Sequence, residues 1–233
     1  VSATPGAAWP LSALPTSVVE PPLFADSGLF SRMACDLRDR GYSVCPGALP
    51  GALAGGLLAH LHSMSEARFT PAGVGRENDH TLNTFVRTDE ICWINGESAA
   101  GRDWLAWTTA LQQHLNRELL LGLFSFESHF AHYRPGDFYR KHGDAFRGEA
   151  NRVLSVVAYL NPGWQTGDGG ELRLYTGTEN SALLSVQPLH GTVVVFLSEE
   201  FPHEVLPASR DRYSIAGWYR VNGSTAARVD PPR

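Results

Sequence analysis

Four residues carry the chemistry that this sequence suggests: His142, Asp144, His203 and Arg212. His142-Gly143-Asp144 sets an imidazole and a carboxylate two positions apart, so on an extended backbone both side chains leave on the same side. A second imidazole follows at His203, 61 positions on (203−142), and a guanidinium at Arg212, nine further (212−203). Two imidazoles and one carboxylate on one face of a cation leave other positions open, which is what non-haem Fe(II) oxygen chemistry requires. His-x-Asp alone is weak, since it arises often by chance and could be a surface pair after Arg140-Lys141. His203 alone could be a turn residue and Arg212 a surface arginine. The combination, in a strand-rich half of the chain, is the stronger signal.

An arginine has a defined place in such a site. 2-Oxoglutarate chelates iron through its 1-carboxylate and 2-keto oxygens, and its far carboxylate must then be held at a fixed distance. A guanidinium provides a planar, permanently charged, bidentate clamp for that group. Arg210, Arg212, Ser214, Ala216 and Trp218 share one side of the last strand, so parity does not separate Arg210 from Arg212. Arg212 begins the continuous strand, whereas Arg210 sits in the Ser209-Arg210-Asp211 turn, and Arg212 is chosen. Tyr159, in Val156-Val157-Ala158-Tyr159-Leu160-Asn161, is the candidate hydroxyl to complete the shell.

Rival ligand sets are weaker. His60 and His62 diverge by about 200° on a helix. His129 and His132 differ in parity on a strand, so only one of them can face a barrel interior. His80, His114 and His190 fall in a loop, on a helix and before a turn glycine.

The elements that must position these groups divide the chain in two. Residues 1–26, rich in Ala, Pro and Ser, read as a flexible N-terminal arm. Helices are expected at 27–40, 50–65 and 98–121, each with an apolar stripe, and short strands at 42–45 and 86–94. Residues 66–85 read as a long loop, a length that often marks function. From 124 onward short apolar runs alternate with Gly, Pro and Asn turns: 124–134, 138–142, 152–160, 171–175, 183–187, 191–198, 203–206 and 212–220. Eight such strands suggest a double-sheet jelly roll, with the helices covering one outer face. The run 191–197 is apolar on both parities and should be covered on both faces. A single domain over 27–220 is expected, helical support at 27–121 and jelly-roll core at 122–220, with a C-terminal tail at 221–233.

The chain of 233 residues has a net charge of −5, which argues against a sequence-independent nucleic-acid partner, since that needs a basic footprint. No apolar run reaches the ~18 residues that span a bilayer, so no membrane partner is expected. Pro5, Pro10 and Pro15 break the opening, which lacks a basic start, and a cytoplasmic location is expected. Cys35, Cys45 and Cys92 do not form a disulfide or zinc pattern and are read as reduced core cysteines.

Several segments together resemble the 2-oxoglutarate/Fe(II)-dependent prolyl 4-hydroxylases, among them the bacterial relatives of the hypoxia-inducible-factor prolyl hydroxylases. They are Arg87-Thr-Asp-Glu-Ile-Cys-Trp-Ile94, His132-Tyr-Arg-Pro-Gly136, Tyr139-Arg-Lys-His-Gly-Asp144, Arg152 to Asn161, Gly169-Gly-Glu-Leu172, Pro202-His-Glu-Val-Leu-Pro207 and Arg212-Tyr-Ser-Ile215 running to Trp218-Tyr219. The resemblance covers about residues 30–220, in order. It implies a mainly β fold, a double-stranded β-helix with helices packed on the major sheet. It implies Fe(II) on His142, Asp144 and His203, 2-oxoglutarate held by Arg212 and Tyr159 with Tyr133 nearby, and dioxygen and L-ascorbate in the reaction. Tyr139, Arg152, Trp218, Arg87 and Asp89 would face the substrate, and residues 66–86 would form a lid over it. The implied substrate is a prolyl residue of a protein, with elongation factor Tu a candidate, and the implied products are succinate and carbon dioxide. The animal enzymes carry a zinc finger for which this chain has no cysteine pattern, and its lid segment differs, so a hypoxia-factor substrate is not carried over. The competing expectations are the same chemistry on free proline or another small molecule, and a non-catalytic jelly roll that binds a metal or ligand.

Overall fold

The first helix shows how local signals set the frame. Asp26 accepts the Leu29 N–H at 3.0 Å and caps α1 (Ser27–Arg40). Gly41 ends the helix in the left-handed region at φ 77°, where its N–H closes on Leu37 O, and a Cβ there would meet Phe201 at 2.9 Å. Leu29, Phe30, Met33, Ala34 and Leu37 form its buried stripe. A computed structural model describes residues 26–73, 85–145, 151–177 and 181–223. The expected arm, apart from Asp26, and most of the expected tail lie outside the described residues.

The chain continues through β1 (Tyr42–Cys45), α2 (Gly51–Ser63), β2 (Thr70–Pro71), β3 (Glu90–Trp93) and α3 (Ala99–Leu119). The second half supplies β4 (Ser125–Tyr133), β5 (Tyr139–His142), β6 (Arg152–Tyr159), β7 (Leu172–Leu174), β8 (Leu184–Val186), β9 (Val193–Leu197), β10 (His203–Val205) and β11 (Arg212–Arg220). Among the described residues these make two sheets. The major sheet runs β1-β9-β6-β11-β4-β3-β2 and the minor sheet β5-β10-β7-β8, with neighbours antiparallel throughout. This is the expected jelly roll with supporting helices.

Strand parity sorts the core into two layers. Phe130, Leu154, Val156, Ala158, Val193, Val195 and Ile215 face outward and pack with the stripes of the three helices. On α3 this stripe is Trp104, Trp107, Leu111 and Leu115, each fully buried, with Trp104 Nε1 donating to Ser128 Oγ at 3.0 Å. Burying side chains of this size contributes about 1.5–3 kcal/mol each. The alternate residues, Ala131, Tyr133, Tyr159, Val194 and Phe196, face Leu172, Leu174, Val186 and Val205 of the minor sheet. β9 is therefore covered on both faces, as its unbroken apolar run implies.

Three expectations need correction. Residues 66–71 are not all loop: Glu66–Arg68 is a 3-10 turn, and β2 pairs with β3 through Thr70↔Ile91 and Pro71↔Glu90. Pro71 fits there because β2 is an edge strand, where a missing N–H breaks no ladder. Of the rest of the expected lid, residues 74–84 lie outside the described residues. The strand expected over 86–94 is shorter, because residues 86–88 turn to the other sheet: Arg140 N donates to Val86 O at 2.8 Å and Thr88 N to Phe138 O at 3.2 Å. Cys45 and Cys92 are buried, but Cys35 is exposed and all three are free, so Cys35 is not a core cysteine. Among the described residues, no helix is long and apolar enough to cross a membrane.

Candidate active site

The two sheets enclose a cavity of about 490 Å³, lined from the minor sheet by His142, His203, Leu172 and Val205. Register builds the triad. His203 on β10 is paired with His142 on β5, so both rings leave one face of the minor sheet, 4.2 Å apart between centroids. Asp144 follows two residues after His142. The ligand atoms of His142, Asp144 and His203 all lie within 4.8 Å of one another, the one such His/Cys/Asp/Glu group among the described residues.

Hydrogen bonds orient the three groups. His142 Nδ1 donates to Arg140 O at 2.8 Å and His203 Nδ1 to Phe201 O at 3.1 Å. Each ring therefore turns a bare Nε2 toward Asp144, at 3.8 Å for His142 and 3.5 Å for His203. Backbone anchoring of the far nitrogen is how ligating histidines are commonly fixed. Burial, with His203 beside it, lowers the His142 pKa to about 3, which keeps that ring neutral and able to ligate. Burial works against ionisation of Asp144, but His203, His142 and the Ser155 hydroxyl outweigh it and hold its pKa at about 2. The set of two imidazole nitrogens and one carboxylate, with ligand atoms facing one point, fits a divalent iron.

The deep end of the cavity belongs to β4, β6 and β11. Arg212 is 1% exposed, and its Cζ lies 4.9 Å from the Tyr133 ring centroid and 5.2 Å from that of Tyr159. Nε donates to Gly170 O at 2.9 Å and Nη1 to Ser214 Oγ at 3.1 Å, which uses two of the five guanidinium donors. Gly170, at φ +73°, lies against the arginine stem, where a Cβ would come within 3.1 Å of Arg212 Cδ. The Tyr159 hydroxyl is fully buried and has no hydrogen-bond partner. Burial raises its pKa to about 12, so it remains a donor. A buried orphan donor beside a buried guanidinium is the polarity a carboxylate would satisfy. Arg210, by contrast, lies outside the cavity lining, against Trp164 and Asp168. Sequence parity left the two open, and burial separates them.

At the mouth, the Arg152 guanidinium sits 3.8 Å from the Trp218 ring centroid and is held by Glu127, with Nη2 to Oε1 at 2.7 Å. Arg87 lies 4.2 Å from the Tyr139 ring centroid, and Tyr139 stacks on His142 at 3.4 Å. Tyr139, Arg152, Trp218 and Arg87 all line the cavity. Asp89 does not: its side chain is 0% exposed, and both its oxygens accept from Arg87, at 2.8 and 2.7 Å. The expectation that Asp89 faces substrate is corrected accordingly; Asp89 lies behind Arg87 and fixes it.

Two inward residues escaped the sequence reading. His129 lines the cavity between Trp93 and Trp218, is buried, and donates from Nδ1 to Phe130 O at 3.2 Å. His132 instead faces outward between Glu90 and Asp211. Their opposite parity was legible, and the shared parity of His129 with Tyr133 was the signal for the inward one. Ser155, on the parity of Tyr159, donates to Asp144 Oδ2 at 2.6 Å.

Comparison with known proteins agrees with this geometry. The model of the 2OG-Fe(II) oxygenase superfamily matches residues 128–220, from β4 to the end of β11. A solved prolyl-4-hydroxylase of Pseudomonas putida is 40% identical, with a TM-score of 0.74 over 83% of this chain and 100% of that one. The hypoxia-inducible factor prolyl hydroxylase of Caenorhabditis elegans is 28% identical over 144 residues, 58% of this chain and 20% of its own. Human prolyl hydroxylase EGLN3 is 33% identical over 146 residues, 58% of this chain and 59% of its own. The chain thus spans a fifth to three fifths of these two relatives.

Proposed function

Because the chain belongs to the 2OG-Fe(II) oxygenase superfamily, in its prolyl-hydroxylase branch, we propose that it hydroxylates C4 of a prolyl residue in a protein, with release of succinate and carbon dioxide. His142, Asp144 and His203 hold Fe(II); Arg212, Tyr159 and Tyr133 hold 2-oxoglutarate. The observation that carries this is the convergence of three ligand atoms within 4.8 Å in the same cavity as the buried Arg212.

Fe(II), with 2-oxoglutarate and dioxygen bound, supplies the oxidising power that a carbon–hydrogen bond demands. The chain supplies geometry and electrostatics. Three protein ligands leave room for a chelating co-substrate and for dioxygen. Arg212 and Tyr159 offer charge-assisted and hydroxyl donors to its far carboxylate, so its chelating end is presented to the triad. Ile91, Ala131, Val157 and Val205 make the walls apolar and limit water around the reacting centre. The substrate carbon has no proton that an acid or base could move, so selectivity rests on positioning by Tyr139, Arg152, Trp218 and Arg87. An error of about 1 Å in such placement can cost ~100-fold in rate.

The relatives' names support a protein substrate, one being a hydroxylase of hypoxia-inducible factor. Elongation factor Tu, which the sequence resemblance suggests, is the first target to assay. Succinate release by the Fe(II)-loaded protein with ascorbate would be measured with elongation factor Tu, with a cell lysate and with free proline. Mass spectrometry should find a +16 Da change on a protein prolyl residue. Succinate release driven by free proline, with no protein prolyl residue modified, would replace this reading with the small-molecule one.

A further inference from the structure

We infer that Ser155, backed by Ser198, is the positioning residue that fixes how Asp144 presents its oxygens to the metal; the inference rests on the metal site proposed above. The hydrogen bonds of the two imidazoles stay within the chain segment that carries each ring, at Arg140 O and Phe201 O. The bond to Asp144 crosses between sheets. Asp144 follows β5 of the minor sheet, and Ser155 lies on β6 of the major sheet, with Oγ donating to Asp144 Oδ2 at 2.6 Å. Ser155 Oγ is in turn 2.9 Å from Ser198 Oγ, just beyond β9. Both serines are 1% exposed.

Proton counting gives the pair a direction. A hydroxyl carries one proton, and that of Ser155 goes to a carboxylate that can only accept. Ser198 must therefore donate to Ser155, and the chain of donors runs Ser198 to Ser155 to Asp144. An aligned chain of this kind strengthens its last bond by polarisation. Ser155 is otherwise an anomaly, a fully buried hydroxyl on the strand face that carries Val157 and Tyr159, where a β-branched apolar residue would pack better. Occupying one lone pair of Oδ2 restrains rotation of the carboxylate and leaves its remaining lone pairs for the point that the two bare Nε2 atoms also face, where the metal would sit.

The test uses the full chain and Mn(II) as a stand-in cation, titrated by calorimetry and by the loss of the free Mn(II) resonance signal. Ser155→Ala should weaken Mn(II) binding by about 10–100-fold, the usual range for groups that orient a ligand. Ser155→Thr keeps the hydroxyl and should stay within about threefold of wild type on the same scale. Ser198→Ala should give a smaller loss than Ser155→Ala, and it carries the test should Ser155→Ala fail to fold. In the anaerobic Fe(II)–2-oxoglutarate complex, the charge-transfer absorption should shift in Ser155→Ala and return in Ser155→Thr. Wild-type affinity in both alanine variants would overturn the inference while leaving the metal site intact. A wild-type chain that binds no Mn(II), or binds it equally well after Asp144→Ala, would instead overturn the metal site itself.

Discussion

His142 and His203 are directly opposed across β5 and β10, so a 61-residue separation in the chain (203−142) becomes a ring contact of 4.2 Å. Neither ring is needed to complete the apolar core, since each sits at a strand end over the cavity. His142→Ala and His203→Ala should therefore retain the wild-type circular dichroism spectrum and lose both metal binding and 2-oxoglutarate decarboxylation. Wild-type decarboxylation in either variant would remove these residues from the metal site.

Tyr159→Phe should act with opposite signs on stability and on co-substrate binding. Its hydroxyl is buried without a partner, and deleting such a group relieves a desolvation penalty of about 1–3 kcal/mol. Urea unfolding of the ligand-free protein should show greater stability, while the KM for 2-oxoglutarate rises. Arg212→Lys keeps the charge but not the planar fork, and its KM should rise about tenfold or more with the metal affinity unchanged. An unchanged KM in Arg212→Lys would shift attention to Arg210.

Removing Asp89 should destabilise the protein through Arg87. The pair is nearly enclosed, with side chains 10% and 0% exposed. Breaking such a pair by truncating one partner leaves a buried charge and costs about 3–5 kcal/mol. Denaturant titrations of Asp89→Ala, Arg87→Ala and the double variant should give strongly non-additive losses. Substrate turnover should fall in all three, because Arg87 supports the Tyr139 ring that stacks on His142. Additive losses would show that the two side chains act independently.

Acid should destabilise the metal-free protein below about pH 6.5, and His129 should be one cause. Burial, with the nearby Arg87 charge, lowers its pKa from 6.5 to about 4. As the pH falls through 6.5 the unfolded chain takes up a proton that the native ring refuses, so native stability drops until the folded ring also protonates near pH 4. The loss is about 1.4 kcal/mol per pH unit within that window. His129→Phe should flatten the stability profile by about one proton between pH 6.5 and 4, read from urea unfolding at several pH values. A slope equal to that of wild type would mean that His129 is not a buried neutral ring.

Local signals in the sequence determined most of the frame. Period-3.6 stripes placed α1 and α3 almost to the residue, and Gly, Pro and Asn punctuation marked the strands from β4 to β11, because backbone preference and alternating burial are local properties. The candidate triad could be picked out because metal chemistry admits few residue types, and the chain carries them in an interpretable order. β2 was missed because a two-residue edge strand carries too short a pattern. Tertiary structure decided among residues of equal type. Arg212 is inside and Arg210 outside, and His129 faces the cavity while His132 faces away. Asp89 lies beneath Arg87 rather than toward substrate. Ser155 meets Asp144 across the gap between two sheets, a contact that register and sheet packing create and that no local spacing encodes.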